Sequence, residues 1–159
     1  MSHRYFAING EPVLATAGWM CIVAAALHFG CIWGGAEWYR TFGAGEELAR
    51  AAEQGSWVPH IFAGGIGAIL LISAAYAFAA ANTMSGFGIQ ASPPFPRLIL
   101  SAICAVLLGR GLLIFVPDLW RADLSETFKF RSSVVVLIMA ATFIVGTWQA
   151  WPHLSQRTN

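Results

Sequence analysis

The chain alternates long apolar runs with short polar connections. Four runs, at 13–35, 58–81, 98–117 and 132–152, are predominantly apolar and reach the roughly 20 residues that a membrane span requires. None shows the strict alternation of a barrel strand. In lipid a backbone must satisfy its own hydrogen bonds, so each run is read as a helix. The pattern predicts an all-α polytopic membrane protein, with four transmembrane helices in an antiparallel bundle forming a single domain over residues 1–159. A cleaved signal peptide is not expected. The first run begins late, its basic lead is weak, and it is too long for a signal-peptide core.

The connections differ in kind. Residues 36–57 include "GEELARAAEQG", which reads as a short amphipathic helix between the first two spans. Glu46 and Glu47 suit its positive N-terminal end, and Glu46 and Arg50 form an i, i+4 pair. Gly55 should end this helix, and Ser56 can cap the second span. It is read as lying on the membrane surface, or more sharply as a lid over an opening between helices. Residues 82–97, with Pro93, Pro94 and Pro96, are read as an irregular linker between two hairpins. Residues 118–131 mix charge with Trp120, Phe128 and Phe130, and Ser125 can cap a turn into the fourth span. Trp33, Trp38, Trp57, Trp120, Trp148 and Trp151 fall near span ends as interface anchors, while Trp19 lies deeper and should pack.

Four spans put both termini on one side. The face with the termini holds Arg4, Arg97 and Arg157, and the other holds Arg40, Arg50, Arg121, Lys129 and Arg131. Counted by the positive-inside rule, the first and third connections are cytoplasmic and the termini outside.

Composition narrows the function. Apolar residues make up 57% and charged residues 11% of the chain, against about 25% charged in an ordinary soluble domain. That is too few to cover a water-facing surface. A net charge of +1 gives no basis for nucleic-acid binding. Cys21, Cys31 and Cys104 all lie in spans without a CxxC spacing, and read as small apolar packing residues.

The polar residues inside the spans carry the candidate chemistry. Arg110 interrupts "LLGRGLLIF", and His28 interrupts the first span. Each is seven residues before the predicted end of its span, so both should lie roughly 10 Å below one face. His60, Glu37 and Asp118 belong near that face, as do Gly30, Gly34, Gly35, Gly64, Gly65, Gly67, Gly109 and Gly111. Small residues allow close helix approach or leave room for a ligand. A central arginine costs about 2.5–3.5 kcal/mol on insertion scales. It should therefore snorkel to water, pair inside the bundle, or bind an anionic or polar ligand group. The residues assigned to such a ligand pocket are Arg110, His28, Glu37, His60, Asp118 and Trp33. No cofactor is expected: His28 and His60 make a poor haem pair, and zinc needs more ligands than the spans offer.

Two short matches, "EWYR" at 37–40 and "DLWR" at 118–121, with Gly30 and Gly111 at the same offset, hint at a parallel repeat of two hairpins. The chain also resembles a group of small four-span bacterial inner-membrane proteins. Phe42 to Glu46, Gly55 to Pro59 and the "RGLL" of Arg110 to Leu113 carry the resemblance. It implies a multi-pass inner-membrane protein and supplies no activity. The architecture is similar to DoxX-like four-helix proteins, without a motif that ties the chain to them.

Three function classes follow. The favoured one is a module that binds or moves a lipid-like or small amphiphilic ligand inside the bundle. The alternatives are an accessory subunit, as a homo-oligomer or within a larger membrane complex, and an integral membrane enzyme acting on a lipid-like substrate.

Overall fold

The structure is a computed structural model that describes residues 11–81 and 93–154. It is helical, with no strand among the described residues. The elements are α1 (Glu11–Thr41), α2 (Glu46–Glu53), α3 (Val58–Ala80), α4 (Pro96–Leu112) and α5 (Glu126–Leu154). Two 3₁₀ turns, Leu113–Phe115 and Pro117–Leu119, separate α4 from the third connection. Four of the helices are long and apolar enough to cross a membrane, as the hydrophobic pattern predicts.

Local chemistry explains the ends. α1 is broken at Gly35 (φ 63°, ψ −151°), a backbone that glycine adopts at little cost. Its last turn closes in a Schellman motif: Gly43 N–H donates to Arg40 O at 3.0 Å and Ala44 N–H to Tyr39 O at 2.8 Å. α2 ends the same way at Gly55 (φ 74°), with Ser56 N–H donating to Ala51 O at 2.9 Å. The Ser56 hydroxyl accepts from Val58 N–H at 3.3 Å, and Ser125 Oγ accepts from Phe128 N–H at 3.2 Å at the start of α5. Ser125 therefore caps α5 as expected, whereas the N-cap of α3 is Trp57 and Ser56 lies one residue before it. The sequence reading of 82–92 lies outside the described residues, but Pro96 does open α4.

Several helix ends differ from the expected spans: α1 continues past its kink at Gly35 to Thr41, and α5 begins at Glu126 rather than 132. The third span was expected to run helically to residue 117, but α4 stops at Leu112. The chain then tightens into 3₁₀ turns, as helix ends often do. Arg110 thus sits in the last turn of α4 rather than two turns inside it.

α1 packs chiefly on α3, α4 on α5, and α1 on α5 joins the two pairs. At the end that carries the termini, all four long helices meet in one core, with Leu14, Ala17 and Cys21 of α1, Ala74 and Ala77 of α3, Leu100 of α4, and Met139 and Phe143 of α5. Its alanines suit a medium in which helices associate by close packing rather than by expulsion of water. At the opposite end a second core forms from Cys31, Tyr39, Ala49 and Ala63. These residues belong to α1, α2 and α3, and α4 and α5 add none. Cys21, Cys31 and Cys104 are free thiols.

Of the two roles open to these glycines, close packing holds for several of them. A Cβ on Gly34 would lie 2.0 Å from the Trp38 ring and one on Gly30 2.6 Å from it. One on Gly67 would lie 2.8 Å from the Phe29 ring, and one on Gly111 2.6 Å from Leu137. Gly65 and Gly109 face open space. Trp19 is 61% exposed and touches Phe78 edge-on at 5.5 Å, so it faces outward more than its depth suggested.

Candidate functional site

Arg110 is the best-built of the candidate residues. Its guanidinium carbon lies 4.3 Å from the centre of the Trp120 ring, within the range of a cation–π contact. Trp120 is fixed in turn, because its indole N–H donates to Leu113 O at 2.8 Å. That bond also satisfies a carbonyl freed where α4 ends. Arg110 Nη2 donates to Ser132 Oγ at 3.3 Å, and the Ser132 hydroxyl donates to Lys129 O at 3.3 Å. Arg110 Nη1 is buried and has no hydrogen-bond partner. The next residue along α5, Ser133, is fully buried, and its Oγ is also without a partner. A buried donor left unsatisfied costs about 1–3 kcal/mol, and more when charged.

The other candidates occupy separate environments. His28 is half-buried, and its Nδ1 donates to Ala24 O one turn earlier at 2.8 Å. A carbonyl can only accept, so Nδ1 carries the proton whenever the ring is neutral. His60 belongs with Tyr39 and Trp57. Its Nδ1 lies 3.2 Å from the Tyr39 hydroxyl, its ring stacks on Tyr39 at 6.1 Å, and Trp57 meets it edge-on at 6.1 Å. Glu37 is exposed, and its backbone carbonyl accepts from Thr41 Oγ1 at 2.9 Å. Asp118 is exposed in a 3₁₀ turn. Trp33 is 86% exposed on the outer surface of α1. Among the described residues, no hydrogen bond joins His28, His60 and Arg110 to one another.

A polar layer lies over this end. Arg40 Nε donates to Glu46 at 2.9 Å and Arg40 Nη1 to Glu53 at 2.7 Å. Arg50 adds the expected i, i+4 bond to Glu46 at 3.0 Å. The Arg40 and Arg50 bonds hold the Glu46 carboxyl down at about 2, and the Arg40 bond holds Glu53 below the usual carboxylate range. Across the gap, Arg121 Nη2 reaches Glu47 at 3.0 Å and Asp123 at 2.7 Å. Glu47 N–H donates to Asp123 Oδ2 at 3.3 Å. Desolvation pushes the Asp123 carboxyl up, but the Glu47 N–H and Arg121 outweigh it and hold the group below its ordinary value. These contacts place the first and third connections together on one face. Arg40 and Arg121, the last residues of "EWYR" and "DLWR", both pair with acids outside those motifs.

Sequence reasoning missed Trp120, Ser132 and Ser133 as companions of Arg110, and Tyr39 as the companion of His60. It also missed a counterpart at the other end of α4. There Arg97 lies 4.7 Å over the Trp151 ring and donates to Trp151 O at 2.9 Å. No family model, curated protein or solved structure matches the chain.

Proposed function

We propose that the protein is an antiparallel four-helix bundle of the bacterial inner membrane that binds a lipid-like or small amphiphilic ligand, whose anionic or polar head is held at Arg110. The observation that supports this is the state of the guanidinium. Trp120 and Ser132 orient it, and its Nη1 is buried with donors left to give. An arginine that only snorkels to bulk headgroups needs neither the ring beneath it nor the serine beside it. A fixed cation with spare N–H groups in a low-dielectric setting suits a phosphate, carboxylate or carbonyl oxygen. Ser133 Oγ, on the residue after Ser132, is a second polar group of α5 buried without a partner.

The test is mass spectrometry of small molecules extracted from protein purified in mild detergent, wild type beside Arg110→Leu. Thermal unfolding of both shows whether the variant folds. A defined species near stoichiometric amount in wild type and missing from a folded variant is the expected result. Identical bulk lipid in both would overturn the reading.

A second reading, an accessory subunit, draws support from α4. It is the least covered of the four long helices, and Ser101, Ala105 and Gly109 form a small-residue ridge along its exposed side. Such ridges favour helix–helix contact in lipid. A ligand-free chain that runs as a stable oligomer through α4 would favour this reading over the first.

A further inference from the structure

We propose that the contact between α2 and the third connection is a releasable clasp, at which the α1–α3 pair and the α4–α5 pair part while staying joined at the end that carries the termini. The two ends of the molecule are held by different means. At the terminal end all four long helices share an apolar core. At the clasp end the apolar core is confined to α1, α2 and α3.

What crosses the clasp is slight. The Arg121–Glu47 pair is exposed on both sides, at 40% and 78% of the side-chain surface, where an ion pair contributes little and is screened by salt. The Glu47 N–H bond to Asp123 is long at 3.3 Å. Beyond these, Gly43 lies against the Phe128 ring, and Gly45 against Asp123 and Leu124.

Each side keeps its own structure when the clasp opens. α2 stays tied to α1 through Arg40, Glu46 and Glu53 and through the Schellman turn at Gly43. Arg121 keeps Asp123, Trp120 keeps Leu113 O, and Ser125 still caps α5. Glu47 returns to water, where its charge is solvated. Little beyond the crossing contacts is therefore lost on opening. Arg110 Nη1 and Ser133 Oγ, both buried without partners, belong to the α4–α5 side of this end. The clasp as a route to a ligand site rests on the reading of Arg110 above, whereas the opening itself does not.

The experiment is a pair of spin-label distances in lipid nanodiscs, on the full chain with Cys21, Cys31 and Cys104 replaced by Ala. One pair, Gln54→Cys with Ala122→Cys, spans the clasp from exposed positions. The other, Ala75→Cys with Val145→Cys, reports the terminal end from exposed positions. No ligand is added, so a failed opening is separable from a failed ligand assignment. The expected result is a second, longer clasp distance whose population rises about two- to fivefold from low to high salt, and likewise in Arg121→Gln at low salt, with the terminal pair unchanged. A single clasp distance in every condition would overturn the proposal. So would broadening of both pairs together, which would mean a loose bundle rather than a clasp.

Discussion

Replacing Gly45 by alanine should detach the first turn of α2 from the third connection. Gly45 has φ 96° and ψ 152°, a region that is essentially reserved for glycine and costs about 1–3 kcal/mol when a side chain is present. The added Cβ would lie 2.3 Å from Asp123 Oδ2 and 3.2 Å from Leu124. The carboxylate must therefore move, and it then loses the Glu47 N–H that it accepts at 3.3 Å. Such a bond to a charged group contributes about 1.5–3 kcal/mol, discounted here to about 1 kcal/mol for length and exposure. The sum is about 2–4 kcal/mol, or about 30- to 700-fold in the local opening equilibrium at 1.4 kcal/mol per factor of ten. Gly55→Ala is the matched control. Gly55 also has positive φ, at 74°, but nothing lies within 4 Å of its added Cβ, so only about 1–2 kcal/mol of backbone strain applies. Hydrogen exchange over residues 44–54, read by mass spectrometry in nanodiscs, compares the two. Exchange should accelerate far more in Gly45→Ala, while α5 amides near Phe143 stay protected in both. Equal acceleration in the two variants, or none in either, would refute the steric argument.

Two further outcomes are expected. Trp120→Phe keeps an aromatic ring under Arg110 but loses the N–H bond to Leu113 O at 2.8 Å, costing about 1 kcal/mol. Trp120→Ala loses the cation–π contact as well, a further 0.5–2 kcal/mol or so. Denaturation in detergent that ranks the two alike would show that the ring does not hold Arg110. Acidification should loosen α2 from α1. Glu46 and Glu53 titrate below their ordinary value of 4.5 in the folded chain, so their contribution is complete above that pH. It is lost as pH falls toward the folded value, about 2 for Glu46. The anisotropy of a dye on Gln54→Cys should hold steady to about pH 4.5 and fall below it. A decline that begins above about pH 6 would point to another group.

Much of the fold is legible in the chain because the signals are local. Apolar run length marks the long helices, Gly55 marks the end of α2, and Ser125 marks the start of α5. Each acts within a few residues of itself. The third span misled for a local reason as well. "GLLIFVP" is apolar enough to continue a helix, and hydropathy does not distinguish an α-turn from the 3₁₀ turns that follow Leu112. The site was legible only in part. Arg110 stood out by its charge, but its companions depend on how the chain folds back. Trp120 reaches it from the third connection and Ser132 from the first turns of α5. The clasp was hidden for the same reason, since Arg121 and Glu47 are 74 residues apart in sequence. His28 and Arg110 were expected at one depth because each lies seven residues before an assumed span end. Both helices end elsewhere: α1 continues past its kink at Gly35 to Thr41, and α4 stops at Leu112.

The glycines seated against larger side chains have a consequence for how this sequence can change over evolutionary time. Gly34 and Gly30 admit Trp38, Gly67 admits Phe29, Gly18 admits Phe78, and Gly146 admits Leu14. In each pair the small residue is tolerated because of the large one, and the large one fits because of the small. A mutation that adds a methyl group to the socket is costly by itself, and so is one that trims the knob and leaves a void. Made together, they restore volume. Drift at these positions is therefore expected to come in twos, and related chains should show a larger residue at the position of Gly67 chiefly where the position of Phe29 has become smaller.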